Sequence, residues 1–539
     1  MAAQQSTHFS DVTWDVIVVG AGMGGGTLGS QLAAKGWRVL FLEKGVNIAR
    51  RHTYQVSDEP SQRISTGNWP LRMTVDVDGN VSRVHPPLGC GTGGTSLLYA
   101  AALERFSRVD FAPSDASARA QRGSAYDGWP IDYDSFLPYY EKAEALFRVR
   151  GTPDPLDPDD SHKLLDPPQL SEQEGHFMDS FEQAGMHPYR IHVGIEYVEN
   201  CSECLGRICE QNCKSDSNRL CIQPVLQRQQ AFILDECEVS RIEAGPDSVQ
   251  HVVCHHQGTT YQLKARLYVL AASAYFTPVI LLNSKNTHWP DGLLNRNGLI
   301  GRNLMFHISD FVALWPTQPC SKAGANKTIS LRDFYRHDGM HMGSFQSTGL
   351  DPSYDHILYF LVTSMELSWF PWPRKPAFWV LQRIAKISTK MFATCSIFAT
   401  ILEDFPYADN RIELDPNEPG DMRVVYHMRR ELKRRNRKFR KLLVRHFRRH
   451  KPRFLAGQPR LNFGHPSGTC RFGDDPAHSA LNADCRAHDV DNLYVVDASF
   501  FPSSTGANPS LTIAANAIRV AEIMDAHLEK LVRAEQSAL

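Results

Sequence analysis

Asp15-Val-Ile-Val-Val-Gly20-Ala-Gly22-Met-Gly24-Gly25 runs a short apolar stretch straight into a cluster of glycines. The apolar run predicts a buried strand, and residues 27–35, with apolar positions on one face, predict a helix. A glycine cluster between strand and helix is the context that a dinucleotide fingerprint requires. Gly20 permits the tight turn, Gly22 lets the backbone approach a pyrophosphate, and Gly25 permits close packing of helix on strand. Backbone N–H groups at the helix start then face the phosphates. A second strand, predicted over 38–43, ends in Glu43, at the distance where an acid accepts hydrogen bonds from an adenosine ribose. This pattern fits FAD and NAD equally; the rest of the chain separates them.

Around this fingerprint lie 539 residues, 42% hydrophobic and 22% charged, an ordinary globular composition with material for two or more lobes. The net charge of -1 gives no global pull toward nucleic acid or acidic ligands. The charge is unevenly placed, since 429–453 holds fourteen Lys or Arg and one acid. Residues 1–12 lack a basic segment followed by an apolar one, so a cytoplasmic location is expected. The apolar stretch 391–402, between Lys390 and Glu403, is too short to span a bilayer and predicts a buried helix or strand. Twelve cysteines without a leader argue for thiols or a metal site over a disulfide framework.

A second glycine-rich loop reads His85-Pro-Pro-Leu-Gly-Cys-Gly91-Thr-Gly93-Gly94-Thr95-Ser96. It resembles the signature by which flavoenzymes of the glucose-methanol-choline family pass their backbone along the flavin. Further blocks follow in the order of that family. Gly128-Trp-Pro-Ile-Asp resembles the entry to its substrate domain. Val269-Leu-Ala-Ala-Ser273-Ala-Tyr-Phe-Thr277-Pro278 resembles its returning strand, with Ser273 where the family usually has Gly. Gly298-Leu-Ile-Gly301-Arg302-Asn-Leu304-Met-Phe-His307 resembles its next loop. The most specific match joins His465-Pro-Ser-Gly468-Thr469 to Val-Val-Asp497-Ala-Ser499 and Gly506-Ala-Asn508-Pro509-Ser-Leu-Thr512. The resemblance covers residues 15 to about 525 and is loose over roughly 310–455.

The resemblance implies an α/β fold: a Rossmann-like FAD-binding domain with a discontinuous antiparallel-sheet substrate domain. The FAD domain is expected over 10–135, 225–310 and 456–535, and the substrate domain over 136–224 and 311–455. It implies FAD contacts at Gly20, Gly22, Gly25, Glu43, Gly93, Gly94, Thr95, Ser96, Val239, Asp497, Asn508 and Pro509. Some members tether FAD through a His four residues beyond the first Gly of the Gly-Gly pair. Here that position is Leu97, with Leu98 beside it, and neither forms such a bond, so FAD is expected to be non-covalent.

The activity implied is oxidation of an alcohol carbon of a small molecule, with hydride passing to flavin N5. Such a reaction needs a base near the hydroxyl, and histidine suits this at neutral pH. By motif position His465 is the base and Asn508 holds the substrate oxygen, while the flavin does the redox work. The electron acceptor, whether oxygen, a quinone or a protein, stays open. Two other readings compete, a non-redox lyase on the same flavin fold and an electron-transfer subunit built on a cysteine cluster.

That cluster is Cys201-Ser-Glu-Cys204-Leu-Gly-Arg-Ile-Cys209-Glu-Gln-Asn-Cys213, followed by Cys221. Three readings fit it: structural thiols, an iron-sulfur cluster or zinc on Cys201, Cys204, Cys209 and Cys213, and a disulfide or redox switch. In the basic run 429–453, Leu432, Phe439, Leu443 and Phe447 recur at helical spacing, so a helix packs these inward and solvates its charges. The alternative is a docking surface for an acidic partner or an anionic membrane. Trp369-Phe-Pro-Trp372-Pro, with Phe378 and Trp379, is expected to line or cover an apolar substrate pocket rather than bind nucleic acid.

Overall fold

The structure is a computed structural model, describing residues 9–47, 60–112, 128–157, 162–199, 201–350, 374–416 and 421–538, with 354, 357, 358, 361, 362 and 365. The fingerprint strand is Thr13–Val19, with every residue after Thr13 buried. It sits between two parallel neighbours, Val39–Leu42 and Thr259–Leu270. The strands Ala231–Leu234 and Leu493–Val495 extend this parallel sheet at either side. A strand buried on both faces reads as a continuous apolar run, which is what Val16 to Val19 and Val39 to Leu42 supply. The long strand Thr259–Leu270 serves two neighbours. Its last half pairs with the fingerprint strand, and its first half closes an antiparallel meander with Val249–His256 and Cys237–Ala244.

The fingerprint helix is Met23–Ala34. It begins four residues before the sequence places it, taking Gly24, Gly25 and Gly26 into its first turn. Contact explains this. A Cβ on Gly25 would lie 2.1 Å from the Gly20 carbonyl oxygen, and one on Gly24 would lie 2.2 Å from that of Val496. The glycine run is therefore helix pressed against backbone, where the intrinsic cost of glycine in a helix is offset by that packing.

Six antiparallel strands form the second sheet, in the order Arg453–Phe454, Phe311–Leu314, Ser396–Leu402, Gly343–Ser347, Ile329–Leu331 and Tyr189–Arg190. Strand alternation gives this sheet two faces. Phe345 and Phe398 point outward and pack beneath two helices, Glu172–Gln183 and Arg430–His446. Gln346, Ile397 and Ala399 face the other way, into the large cavity between the sheets. A four-stranded sheet pairs Met73–Val77 with Met422–Tyr426, so the expected boundary between the two domains runs through a shared sheet. The stretch 391–402 divides into the end of a helix, Arg374–Phe392, and the whole of the buried strand Ser396–Leu402.

In the basic helix Arg430–His446, Leu432, Phe439 and Leu443 are buried, and Phe447 caps it from inside. Its charges are met by acids from distant segments. Lys433 pairs with Asp78 at 3.1 Å, Lys438 with Asp338 at 2.6 Å, and Arg440 with Asp310. Arg435 is buried against Glu431 at 2.8 Å. Part of the local excess of positive charge is thus answered within the fold, while Arg434, Arg437, Lys441 and Arg445 stay exposed to solvent. Of the aromatic stretch, 369–373 lies outside the described residues, and Phe378 and Trp379 are solvent-exposed. Those two side chains do not line the pocket, because the helix that carries them turns another face inward.

Candidate active site

One cavity of about 1320 Å³ runs from the fingerprint loop to the six-stranded sheet. Gly20, Gly22 and Glu43 line it from the first loop, and Gly94, Thr95 and Ser96 from the second. Val239 lies along one side, and Asp497, Asn508, Pro509 and His465 along another. Gly25 and Gly93 are set back from it. Gly25 is pressed against Gly20, while Gly93, at φ +100, donates its N–H to the Ala21 carbonyl at 2.8 Å and so binds the two loops together.

The cradle fits a dinucleotide. A Cβ on Gly22 would meet nothing within 4 Å, so this glycine faces open cavity rather than protein. Gly22 also caps a helix with no side-chain hydrogen bond at its start and no acid in its first turn, leaving amide donors for a phosphate. Glu43 is buried and accepts from the amides of Ala21 at 3.0 Å, Gly45 at 2.8 Å and Gly91 at 3.2 Å. Burial raises its pKa, against the three amides that lower it. Its carboxylate thus fastens both glycine loops, a task the sequence reading did not give it, and still borders the cavity.

At the other end His465 meets His307, Nδ1 to Nδ1, at 2.8 Å. His307 Nε2 lies 3.0 and 3.1 Å from the carbonyl oxygens of Ser504 and Thr505. Carbonyls only accept, so Nε2 of His307 carries the hydrogen. Burial pushes the His307 pKa down to about 4, so the ring is neutral at pH 7 and its Nδ1 is a bare acceptor. The proton between the rings therefore belongs to His465 Nδ1, which leaves His465 Nε2 unprotonated. The Asn462 amide nitrogen approaches the same Nδ1 at 3.3 Å, but it also donates to Ser309 Oγ at 3.2 Å. Burial first, and His307 second, push the His465 pKa down to about 3. Asn508 is buried, with its Oδ1 making no hydrogen bond.

The six-stranded sheet and the segment leading into its strand Ile329–Leu331 wall this end with apolar side chains and with polar ones that include Gln346 and Lys327. Gln346 is buried with no partner for Oε1. Lys327 is 2% exposed and lines the cavity, and burial lowers its pKa to about 8. His307, Lys327 and Gln346 were not singled out from the sequence. Only His307 stood in a motif, as the last residue of the block 298–307.

The cysteine loop lines the cavity through Leu205, Gly206 and Ile208, while its thiols are set back from it. Cys209 lies 3.4 Å from Cys213, and Cys201 lies 3.6 Å from Cys213. Cys204, Cys209 and Cys213 pack with Ala101, Ile191 and Val193. Buried Lys214 ties the loop down by donating to the carbonyls of Tyr99, Cys204 and Arg207. Among the described residues no group of three or more His, Cys, Asp or Glu is arranged to hold a metal ion. No disulfide joins any of the twelve cysteines.

Residues 15–309 and 406–517 match the sequence family described as GMC oxidoreductase. The chain is 25% identical to 6'''-hydroxyparomomycin C oxidase of Streptomyces lividus, with 96% of this chain and 92% of that relative covered. It is 24% identical to 2-methyl-1,2-propanediol dehydrogenase of Mycolicibacterium austroafricanum, with 96% of each covered. The crystal structure of pyridoxine 4-oxidase from Mesorbium loti superposes with a TM-score of 0.62 at 19% identity, covering 95% of this chain and 99% of that one. That structure carries the same fold. With a family match over more than half its length, a cradle that fits a dinucleotide and a paired histidine facing it across one cavity, this chain belongs to the GMC oxidoreductase family and is an FAD-dependent flavoprotein.

Proposed function

We propose that this chain oxidises a CH–OH carbon of a small-molecule alcohol. His465 takes the hydroxyl proton at Nε2, and Asn508 holds the same oxygen. The single observation that carries the reading is the histidine pair. His307 gives up its only acceptor to His465 Nδ1, so the nitrogen left to His465 is the one that can accept a proton. The Asn508 amide has no partner that fixes its orientation, so its Nδ2 is free to donate to the substrate oxygen as negative charge develops there. When bound, FAD supplies the hydride acceptor. Its pyrophosphate would lie at the start of the helix Met23–Ala34, and Glu43, Val239, Asp497 and Pro509 would border it. No covalent tether is proposed, because Leu97 and Leu98 are buried against Ile208 and offer no nucleophile.

The test is anaerobic mixing of the FAD-loaded protein with a panel of sugars, sterols, aliphatic and aromatic alcohols. An alcohol that bleaches the flavin is expected. His465→Ala should slow that bleaching by about 100- to 10,000-fold, the usual share of general-base catalysis, with FAD retained. Asn508→Ala should cost roughly 2 to 4 kcal/mol at the transition state. Near-normal bleaching in His465→Ala would remove the base assignment. Turnover of an alcohol with no flavin bleaching would favour the non-redox lyase.

A further inference from the structure

Of the nine Lys and Arg of the basic helix Arg430–His446, four pair with acids; the helix Arg374–Phe392 shows no such pairing among its described cations. Its sequence carries Arg374, Lys375, Arg383, Lys386 and Lys390 with no acid. Among the described residues no ion pair involves Arg383, Lys386 or Lys390, although the Arg383 guanidinium lies over the Trp379 ring at 5.1 Å. The same helix turns large apolar side chains to solvent. Ile387 is 71% exposed, Trp379 and Met391 58%, and Val380 46%. An amphipathic helix ordinarily buries such residues. Here the inward face is made of Ala377 and Ala385, both buried, with Ser388 and Phe392 lining the cavity.

The spacing sorts these side chains into strips. At about 100° per residue, Val380, Ile384, Ile387 and Met391 share an arc of about 60°, and Arg383, Lys386 and Lys390 share a neighbouring arc of similar width. An exposed apolar strip flanked along one side by cations, with the Trp379 ring among those cations, matches a helix lying in the interface of an anionic bilayer. Charge decides between occupants. A second copy of this chain would set cations against cations across the strip, whereas lipid phosphates complement them. No helix among the described residues is long and apolar enough to cross a membrane, so the contact is with the surface.

We propose that the helix Arg374–Phe392 docks this protein on the surface of an anionic lipid bilayer, with the Val380–Met391 strip inserted and its cations at the headgroups. The cavity wall formed by Ser388 and Phe392 then lies one helix-width from lipid. The inference is independent of which alcohol is oxidised.

The test is flotation of the FAD-loaded protein with vesicles of phosphatidylcholine alone, and of phosphatidylcholine with about a third phosphatidylglycerol. Binding is expected to the mixed vesicles, at least about tenfold above the neutral ones, and to weaken in high salt. The double variant Ile387→Glu, Met391→Glu changes only exposed positions, and should lose about tenfold or more of that binding while keeping its FAD. Lys386→Glu with Lys390→Glu should do the same. Arg434→Glu with Arg437→Glu, exposed charges of the other helix, should leave vesicle binding as it was. Absence of binding, or binding that survives Ile387→Glu, Met391→Glu, would overturn the proposal. So would an equal loss in the Arg434, Arg437 variant, which would move the contact to that helix. Concentration-dependent dimers abolished by Ile387→Glu, Met391→Glu, with no lipid binding, would hand the strip to a second copy.

Discussion

At the scale of single residues, the decisive feature is which nitrogen of His465 is bare, and His307 decides it. His307→Ala removes the acceptor for His465 Nδ1–H and lets that ring take either tautomer. Flavin reduction is expected to slow by about 10- to 100-fold, less than on losing the base itself. His307→Gln can present an amide oxygen to the same Nδ1–H, and should recover part of the rate. Loss without recovery would mean that His307 serves only packing. The pair also sets a pH dependence. Both folded pKa values, about 4 and about 3, lie below the ordinary imidazole value, so the unfolded chain binds more protons in mild acid. The contribution to stability is therefore present above an unfolded pKa of about 6.5 and is lost as pH falls toward the folded values. None of this was legible in the sequence, because 158 residues separate the two rings and only the fold joins them. Other single residues could be read. Ser273, where the family usually has Gly, sits at φ +78, a backbone conformation that costs a side chain strain and explains the glycine elsewhere. Glu43 was legible as a buried acid at the strand end, but its three backbone partners come from loops that local sequence does not bring together.

Among elements, those with a strong period were read at the right place, the glycine-signature helix was read four residues late at its start, and those decided by remote packing were not read. Leu432, Phe439, Leu443 and Phe447 recur at helical spacing and all are buried, because one face of that helix covers Phe345 and Phe398 of the sheet. Phe439→Ala should therefore destabilise the protein by about 3 to 5 kcal/mol, the usual cost of deleting a buried aromatic ring. Arg437→Ala on the exposed face should stay within about 0.5 kcal/mol. Urea unfolding followed by tryptophan fluorescence separates the two, and equal effects would contradict the assignment of faces. Phe378 and Trp379, expected from their aromatic character to line or cover the pocket, are exposed and do not line it. A period identifies an amphipathic helix, but the direction its apolar face turns is set by what lies beneath it, here the small residues Ala377 and Ala385. For the cysteine loop, spacing left three readings open. The structure shows the close contacts of Cys209 and Cys201 with Cys213 and the lysine anchor beneath them, features no spacing encodes.

For the whole molecule, the order of the glycine-rich and histidine blocks carried the fold, since those blocks are where backbone must approach a cofactor. The pairing of Met73–Val77 with Met422–Tyr426 was beyond the sequence, because strands so far apart meet only through the packing of everything between them. This architecture makes stability depend on the cofactor. The cavity of about 1320 Å³ is walled by both large sheets, and Gly93 and Glu43 hold its two glycine loops to each other. Emptied of FAD, these walls face water, and the loops are held by protein hydrogen bonds alone, such as Gly20 N–H to the Leu42 carbonyl at 2.8 Å and Ser217 Oγ–H to the Gly22 carbonyl at 3.0 Å. A ligand bound only by the folded state adds RT ln(1 + [L]/Kd), about 2.7 kcal/mol at a hundredfold excess over Kd. Protein stripped of FAD is therefore expected to melt at a lower temperature, with the midpoint climbing as FAD is restored and levelling only slowly at high concentration. Thermal unfolding followed by flavin and tryptophan fluorescence together should show flavin released in the same transition that unfolds the chain. Acid precipitation should leave the flavin in the supernatant, as expected where Leu97 and Leu98 provide no tether. A midpoint indifferent to added FAD would mean that the lobes hold together without it, and flavin carried into the pellet would point to a covalent bond at another residue.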